Sequence, residues 1–156
     1  MAVRLRGLDD ADLGTVFVWE SDPAGVRMAA FTRSDPGDRA AFDAHYRGVR
    51  AEQTNLIRAI ERSGDLVGTI ASFWMEGDRE ISYWVDPEHW GEGIATAALE
   101  LFLTEDLTRP LYARVAETNP GSRTVLERNG FEQIGQETSY APGVGRDVTE
   151  LLFRLP

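Results

Sequence analysis

One run constrains this chain more than any other: Ile81-Ser82-Tyr83-Trp84-Val85-Asp86-Pro87-Glu88-His89-Trp90-Gly91-Glu92-Gly93-Ile94-Ala95-Thr96. Ile81 to Val85 reads as a buried strand, Asp86-Pro87 ends it, and Gly91 and Gly93 make a tight loop. Ile94, Ala98, Leu101 and Phe102 then recur at helical spacing, so a helix starts without a spacer. The first N–H groups of such a helix have no intrahelical partner and point outward together. The macrodipole adds about half a positive charge at the same end. Glycines there remove the Cβ atoms that would keep an anion at a distance. Strand, loop and helix therefore form a phosphate cradle made of backbone, which needs no lysine or arginine.

Two better-known phosphate loops do not fit. A Walker A loop requires Gly-Lys-Ser/Thr, which the chain lacks. A dinucleotide fingerprint requires a third Gly or Ala where Thr96 stands, and it belongs near the first parallel strand rather than after a late antiparallel hairpin. A nucleotide- or NAD-binding enzyme stays open as an alternative on the loop alone.

The rest of the chain reads as alternating elements. Val3 to Arg6 is a first short strand, and Asp9 and Asp10 cap a helix running toward Glu20. Ser21-Asp22-Pro23 breaks it, with a short turn or helix over Val26 to Phe31. Asp35-Pro36 opens another helix, with Phe42 and Tyr46 on one face. Strands follow at Leu56 to Ile60, Leu66 to Met75 and Arg79 to Val85, separated by turns at Ser63-Gly64 and Glu76-Gly77. After the helix Ile94 to Glu105 come a strand at Leu111 to Val115 and a helix from Asn119 to Asn129, stopped by Gly130. Phe131 to Gln136 and Val148 to Leu155 are the last strands. The 156 residues suffice for one α/β domain, spanning 1–156, with its own core.

Charge and composition exclude several partners. A net charge of −10 argues against affinity for nucleic acid, which depends on Lys and Arg. The same field either steers cationic acceptors such as amines toward the protein or serves only solubility. No apolar run approaches the roughly 20 residues of a membrane span, so no membrane is expected as a partner. With no cysteine and no apolar leader at Met1 to Leu5, the expectation is a cytoplasmic protein without disulfides or thiolate metal sites. Two histidines and scattered carboxylates show no metal-ligand spacing, so no metal is expected.

Trp90-Gly91-Glu92-Gly93-Ile94-Ala95-Thr96 resembles the acetyl-CoA loop of the GNAT N-acetyltransferases. Asn119, Ser122, Leu126, Gly130 and Phe131 resemble the helix motif that follows it. Tyr83-Trp84-Val85, Ser21-Asp22-Pro23 and Gly145-Arg146-Asp147-Val148 fit the RimJ/RimL-type subgroup, which acetylates the N-termini of ribosomal proteins. The likeness runs along nearly the whole chain, with one departure: Trp90 stands where the general loop begins with Gln or Arg. It implies a single-domain GNAT fold with a mixed, mostly antiparallel sheet of six to seven strands and about four helices. Acetyl-CoA would lie where the fourth and fifth strands splay.

The resemblance also implies roles. The pantetheine arm would run along Tyr83, Trp84 and Val85, and the diphosphate would sit on Trp90, Gly91, Glu92, Gly93, Ile94, Ala95 and Thr96, with Asn119 and Ser122 nearby. The Glu92 side chain must turn aside, or it would repel the diphosphate. An N–H near Val85 would face the acetyl oxygen. Glu80 is either the general base or a hairpin carboxylate paired across strands. Ser122 either approaches the CoA sulfur or bonds locally to the Asn119 carbonyl. Tyr83 either donates to the leaving thiolate or packs, and Asn119 is an N-cap that could also touch the pantetheine. Phe17, Trp19, Phe31, Phe73, Trp74 and Trp84 are core or acceptor-pocket residues, and Ser139 to Arg146 reads as a flexible lip over the acceptor. His45 and His89 lack a paired acid in the sequence and receive no role. The acceptor is an amine, either a protein N-terminus or a small molecule, and a homodimer is the expectation from symmetry statistics. A silent CoA-binding module of the same fold is the competing reading.

Overall fold

Two tight turns set the first half of the sheet. Ser63-Gly64 and Glu76-Gly77 both place two successive residues at positive φ (54° and 83°, 51° and 88°), the twist that closes two-residue hairpins. They join β2 (Leu56–Arg62), β3 (Asp65–Met75) and β4 (Asp78–Val85), with Arg62 opposite Asp65 and Met75 opposite Asp78. β1 (Val3–Arg6) pairs with β2 and completes an antiparallel meander. The computed structural model describes residues 2–156.

β5 (Leu111–Ala116) lies parallel to β4, and β7 (Arg146–Leu155) then β6 (Glu132–Ala141) extend the sheet, giving the order β1-β2-β3-β4-β5-β7-β6. Among the described residues only the β4–β5 pair is parallel. Neighbouring residues on a strand feed opposite layers. Ile60, Ile70, Ile81, Ala113 and Phe153 pack under α4 (Ile94–Glu105) and α5 (Pro120–Arg128). Ala59 and Trp84 face α1 (Leu13–Ser21) and α3 (Arg39–Ala51) instead.

The helices correct the expected boundaries in two places. Pro23 starts α2 (Pro23–Ala29) rather than only breaking α1, because Asp22 accepts the Gly25 N–H at 3.0 Å and proline suits the first helical position. The described residues form five α-helices where about four were expected. Asp35-Pro36 forms a turn, with Gly37 N–H donating to Asp35, and the cap of α3 is Asp38, which accepts from Ala41. β6 and β7 each begin or end beyond the expected limits because they form one long hairpin.

β4 and β5 share only the register Glu80–Tyr112 and Ile81–Ala113, then part. A buried ionic clamp holds the closed end. Asp106, just past α4, accepts from Ser72 of β3 (2.5 Å) and from Arg79 Nε of β4 (3.0 Å), while Arg79 also donates to Ser72 and to the Thr54 carbonyl. Both charged side chains are almost wholly buried, at 6% and 5% exposure. Burial pushes the Asp106 carboxyl up, but hydrogen bonds from Ser72, Thr108 and Arg79 outweigh it and hold its pKa at about 2.

Removing one partner of such a pair strands a buried charge. Asp106→Ala should therefore cost about 3–5 kcal/mol in urea unfolding at pH 7. Because the folded carboxyl titrates below the ordinary aspartate value, the clamp's contribution is complete above about pH 4 and is lost as pH falls toward 2. The parent's urea midpoint should drop across that window by more than that of Asp106→Asn.

Candidate active site

Where β4 and β5 separate, a cleft of about 430 Å³ opens between the sheet, the loop before α4, the start of α5 and one side of α2. That volume is in the range of small-molecule sites. Beyond Ile81 the β5-facing edge of β4 has no strand partner, so its backbone groups border the cleft.

The loop has the geometry that its glycines suggested. Gly91 and Gly93 sit at φ of 80° and 79°, a region that favours glycine. The first bond of α4 runs from Ala97 N–H to the Gly93 carbonyl, so the N–H groups ahead of Ala97 stand outside the helical ladder. Asn129, at the end of α5, braces this turn by donating to the Thr96 carbonyl. Trp90 ties the other end: its indole N–H donates to the Val85 carbonyl at 3.1 Å, fastening the loop to the tip of β4. Glu92 is turned onto Arg62 of β2, with Nη1 to Oε1 at 2.6 Å, and that hydrogen bond holds its carboxyl below the usual range. The second Arg62 nitrogen lies 2.9 Å from His89 Nδ1.

At the other side of the cleft, two hydroxyls meet. Tyr83 Oη lies 2.7 Å from Ser122 Oγ and also donates to the Ser122 carbonyl at 3.2 Å. Asn119 caps α5 by accepting the Ser122 N–H at 3.1 Å. The Ser122 hydroxyl thus pairs with Tyr83, not with the Asn119 carbonyl. Burial pushes the Tyr83 phenol up to about 12, against a smaller opposing effect of Ser122, so it keeps its proton at neutral pH.

Glu80 is not brought into this cleft. It lies in the last paired stretch of β4, three residues before Tyr83 and therefore on the opposite face. There it is buried, with Arg114 of β5 at 3.5 Å, and the same guanidinium reaches Glu137 (3.1 Å) and Glu150 (3.4 Å). Burial pushes the Glu80 carboxyl up, Arg114 opposes that, and Glu150 and Asp78 add to it. Glu137 and Glu150 are directly opposite across β6 and β7, an unfavourable pairing that Arg114 relieves.

Other expectations are met unevenly. Trp84 packs on α2, where a Cβ at Gly25 would come within 3.2 Å of its ring. Trp19 is core, Phe17 and Phe31 pack at the edges of two clusters, and Trp74 is exposed with Arg79 stacked on it. The segment Ser139 to Arg146 is not a free lip. Gly143 N–H donates to the Ala30 carbonyl at 2.7 Å, and a Cβ there would collide with the Val26 and Ala30 carbonyls. Ala30 itself sits at φ 64°, with Phe31 N–H bonded back to Ala29, a strained γ-turn that presents its carbonyl to Gly143. Sequence reasoning missed Gly68, whose absent Cβ would lie 2.5 Å from the Trp84 carbonyl. A glycine inside a strand pattern was the available signal.

The family model for the acetyltransferase (GNAT) domain matches residues 2–132. This chain belongs to the GNAT acetyltransferase family. Among solved structures, the Mycobacterium smegmatis RimJ in complex with CoA-disulfide is 27% identical, with a TM-score of 0.78 over 98% of this chain and 81% of that one. A GNAT phosphinothricin acetyltransferase from Sinorhizobium meliloti in complex with AcCoA is 19% identical, with a TM-score of 0.84 over 100% and 89%. The ribosomal-protein-alanine N-acetyltransferase from Brucella melitensis is 22% identical, with a TM-score of 0.74 over 97% and 98%. The last two show the fold alone. No curated protein matches the chain. The likeness to RimJ agrees with the RimJ/RimL-type resemblance of the sequence. The parted β4 and β5 and the glycine loop are thus placed within a GNAT domain.

Gly68 lets β3 pass close to the Trp84–Val85 backbone that forms the GNAT cleft wall. Gly68→Ala must push that wall aside and should cost about 1–3 kcal/mol in urea unfolding. A variant as stable as the parent would mean that the close approach is relieved cheaply.

Proposed function

We propose that this GNAT domain transfers an acetyl group from acetyl-CoA to a primary amine, the α-amine of a protein N-terminus, by direct attack in a ternary complex. One observation carries the reading: the Tyr83–Ser122 hydroxyl pair lines the same cleft as the glycine loop and the unpartnered edge of β4. Anion cradle, extended backbone edge and proton donor in one cleft are the three features that a diphosphate, an amide-bearing arm and a thioester require. Positive φ at Gly91 and Gly93, and the N–H groups ahead of α4, fit the diphosphate without a cationic side chain in the loop.

Acetyl-CoA supplies an activated thioester carbonyl. Backbone N–H groups near Val85 face its oxygen and stabilise charge there. The Tyr83–Ser122 pair, kept protonated by burial of the phenol, donates to the departing sulfur. The amine nitrogen attacks the carbonyl carbon, the C–S bond breaks, and the amine's proton leaves toward the Glu80 side of the sheet. Glu80 is suited to receive it because burial raises its carboxyl, although Arg114 limits that rise. An α-amine gives up its proton more readily than a lysine-type amine. Deprotonating a lysine-type amine costs ~3 kcal/mol more, from pKa values of roughly 10.4 against 8. The RimJ likeness supports the same choice.

The test is release of free thiol from acetyl-CoA with peptides bearing a free N-terminus, polyamines and aminoglycosides offered in parallel. Turnover should be highest with the peptides. Binding of acetyl-CoA without thiol release to any amine would leave only the silent CoA-binding module. Tyr83→Phe should lower kcat roughly 10–100-fold with little change in KM for acetyl-CoA, since it removes a group that acts on the leaving sulfur. Glu80→Gln should lower kcat by roughly 10²–10⁴-fold at neutral pH, and an unchanged kcat would remove Glu80 as the base.

A further inference from the structure

An acidic residue sits at the centre of the glycine loop. Trp90-Gly91-Glu92-Gly93-Ile94-Ala95-Thr96 contains no cation, so its only formal charge is that of Glu92. Left to itself, this carboxylate would oppose any diphosphate drawn to the helix start. The structure supplies the missing cation from elsewhere. Arg62, the last residue of β2, crosses to the loop and grips Glu92 Oε1 with Nη1 at 2.6 Å. Its second terminal nitrogen donates to His89 Nδ1 at 2.9 Å, since a guanidinium has no acceptor. Arg62 is 22% exposed, Glu92 40% and His89 34%. Ion pairs this open add little to fold stability, so stability does not account for the arrangement.

We propose that Arg62 is a positioning residue for cosubstrate binding: it neutralises Glu92, turns its carboxylate toward β2 and steadies His89 beside the loop, so that the backbone cradle meets the diphosphate without an opposing charge. The inference rests on the reading that this loop binds the diphosphate of acetyl-CoA. It adds a side chain, remote in sequence from the loop, on which that binding depends.

The experiment is calorimetric titration of acetyl-CoA into the parent, Arg62→Gln, Arg62→Lys, Glu92→Gln and the double variant Arg62→Gln/Glu92→Gln, at low and at 0.5 M salt. Arg62→Gln should raise Kd roughly tenfold at low salt, and the effect should shrink at high salt as screening shortens the reach of the freed carboxylate. Arg62→Lys should recover most of the loss. The double variant should bind within about twofold of Glu92→Gln alone, because without the carboxylate there is nothing left to neutralise. S-acetylpantetheine, which lacks the diphosphate, should show the same KM with the parent and with Arg62→Gln. If the double variant binds as weakly as Arg62→Gln, Arg62 acts only by shaping the loop and the proposal fails. An Arg62→Gln variant that binds like the parent overturns it as well, and should that variant not fold, Glu92→Gln decides: binding at least as tight as the parent's upholds the proposal, and weaker binding overturns it. A parent that binds no acetyl-CoA would sink the cosubstrate reading itself, a result separate from either of these.

Discussion

Everything at the site depends on two strands that stop pairing. β4 and β5 share two residues of register and then diverge, leaving the β4 edge from Ser82 onward without a strand partner. Unpaired backbone inside a sheet is costly unless something else uses it. In this domain the divergence is prepared at both ends. The Arg79–Asp106–Ser72 clamp fixes the closed end, where a carboxylate and a guanidinium are buried together with their hydrogen bonds made. At the open end the Trp90 indole and the Asp86 N–H, bonded to the Val67 carbonyl, hold the tip of β4 in place. Gly68 leaves the space through which β3 follows that tip.

Splitting the sheet also separates two kinds of chemistry. Because side chains alternate along β4, Tyr83 projects to the α5 side and Glu80 to the other. A protonated phenol on one face and a raised carboxyl on the other are suited to opposite proton movements. In the proposed reaction the leaving group meets the donor and the incoming amine meets the base, with the sheet keeping the two from neutralising each other.

Much of this was legible in the chain, and particular residues show where legibility ended. The strand–loop–helix run and the cap Asn119 are local, so spacing and capping chemistry located them, whereas Asp22 read as a break and proved to be a cap. The hairpin turns were plain from Ser63-Gly64 and Glu76-Gly77 for the same reason. Contacts that cross the fold were not visible. For Ser122 the sequence left open a place near the CoA sulfur or a bond to its own helix, and its hydroxyl partner lies 39 positions away on β4. Arg62 and Glu92 are 30 apart and meet only because β2 ends beside the loop. The segment Ser139 to Arg146 looked free because its glycines signal mobility, but Gly143 is there for close packing on the end of α2. Glycine marks both conditions in a sequence, and only the neighbour across space tells them apart.

The charge balance poses one more question. With 26 acidic and 16 basic residues, the protein as a whole repels a polyanionic cosubstrate while it attracts cationic acceptors. Such a field is screened within about 8–10 Å at physiological salt, so local arrangement decides what happens inside the cleft. There the helix start, Arg128 in the lining and the Arg62–Glu92 pair leave the glycine-loop end of the cleft free of net negative side-chain charge. On the far face, three carboxylates share the single guanidinium of Arg114 and retain a negative balance. In the proposed reaction the two sides of the split sheet carry opposite preferences, anion at the loop and cation behind β4 and β5. A ternary complex of a phosphorylated donor with an amine acceptor needs such an asymmetry, because each partner is then disfavoured in the other's place.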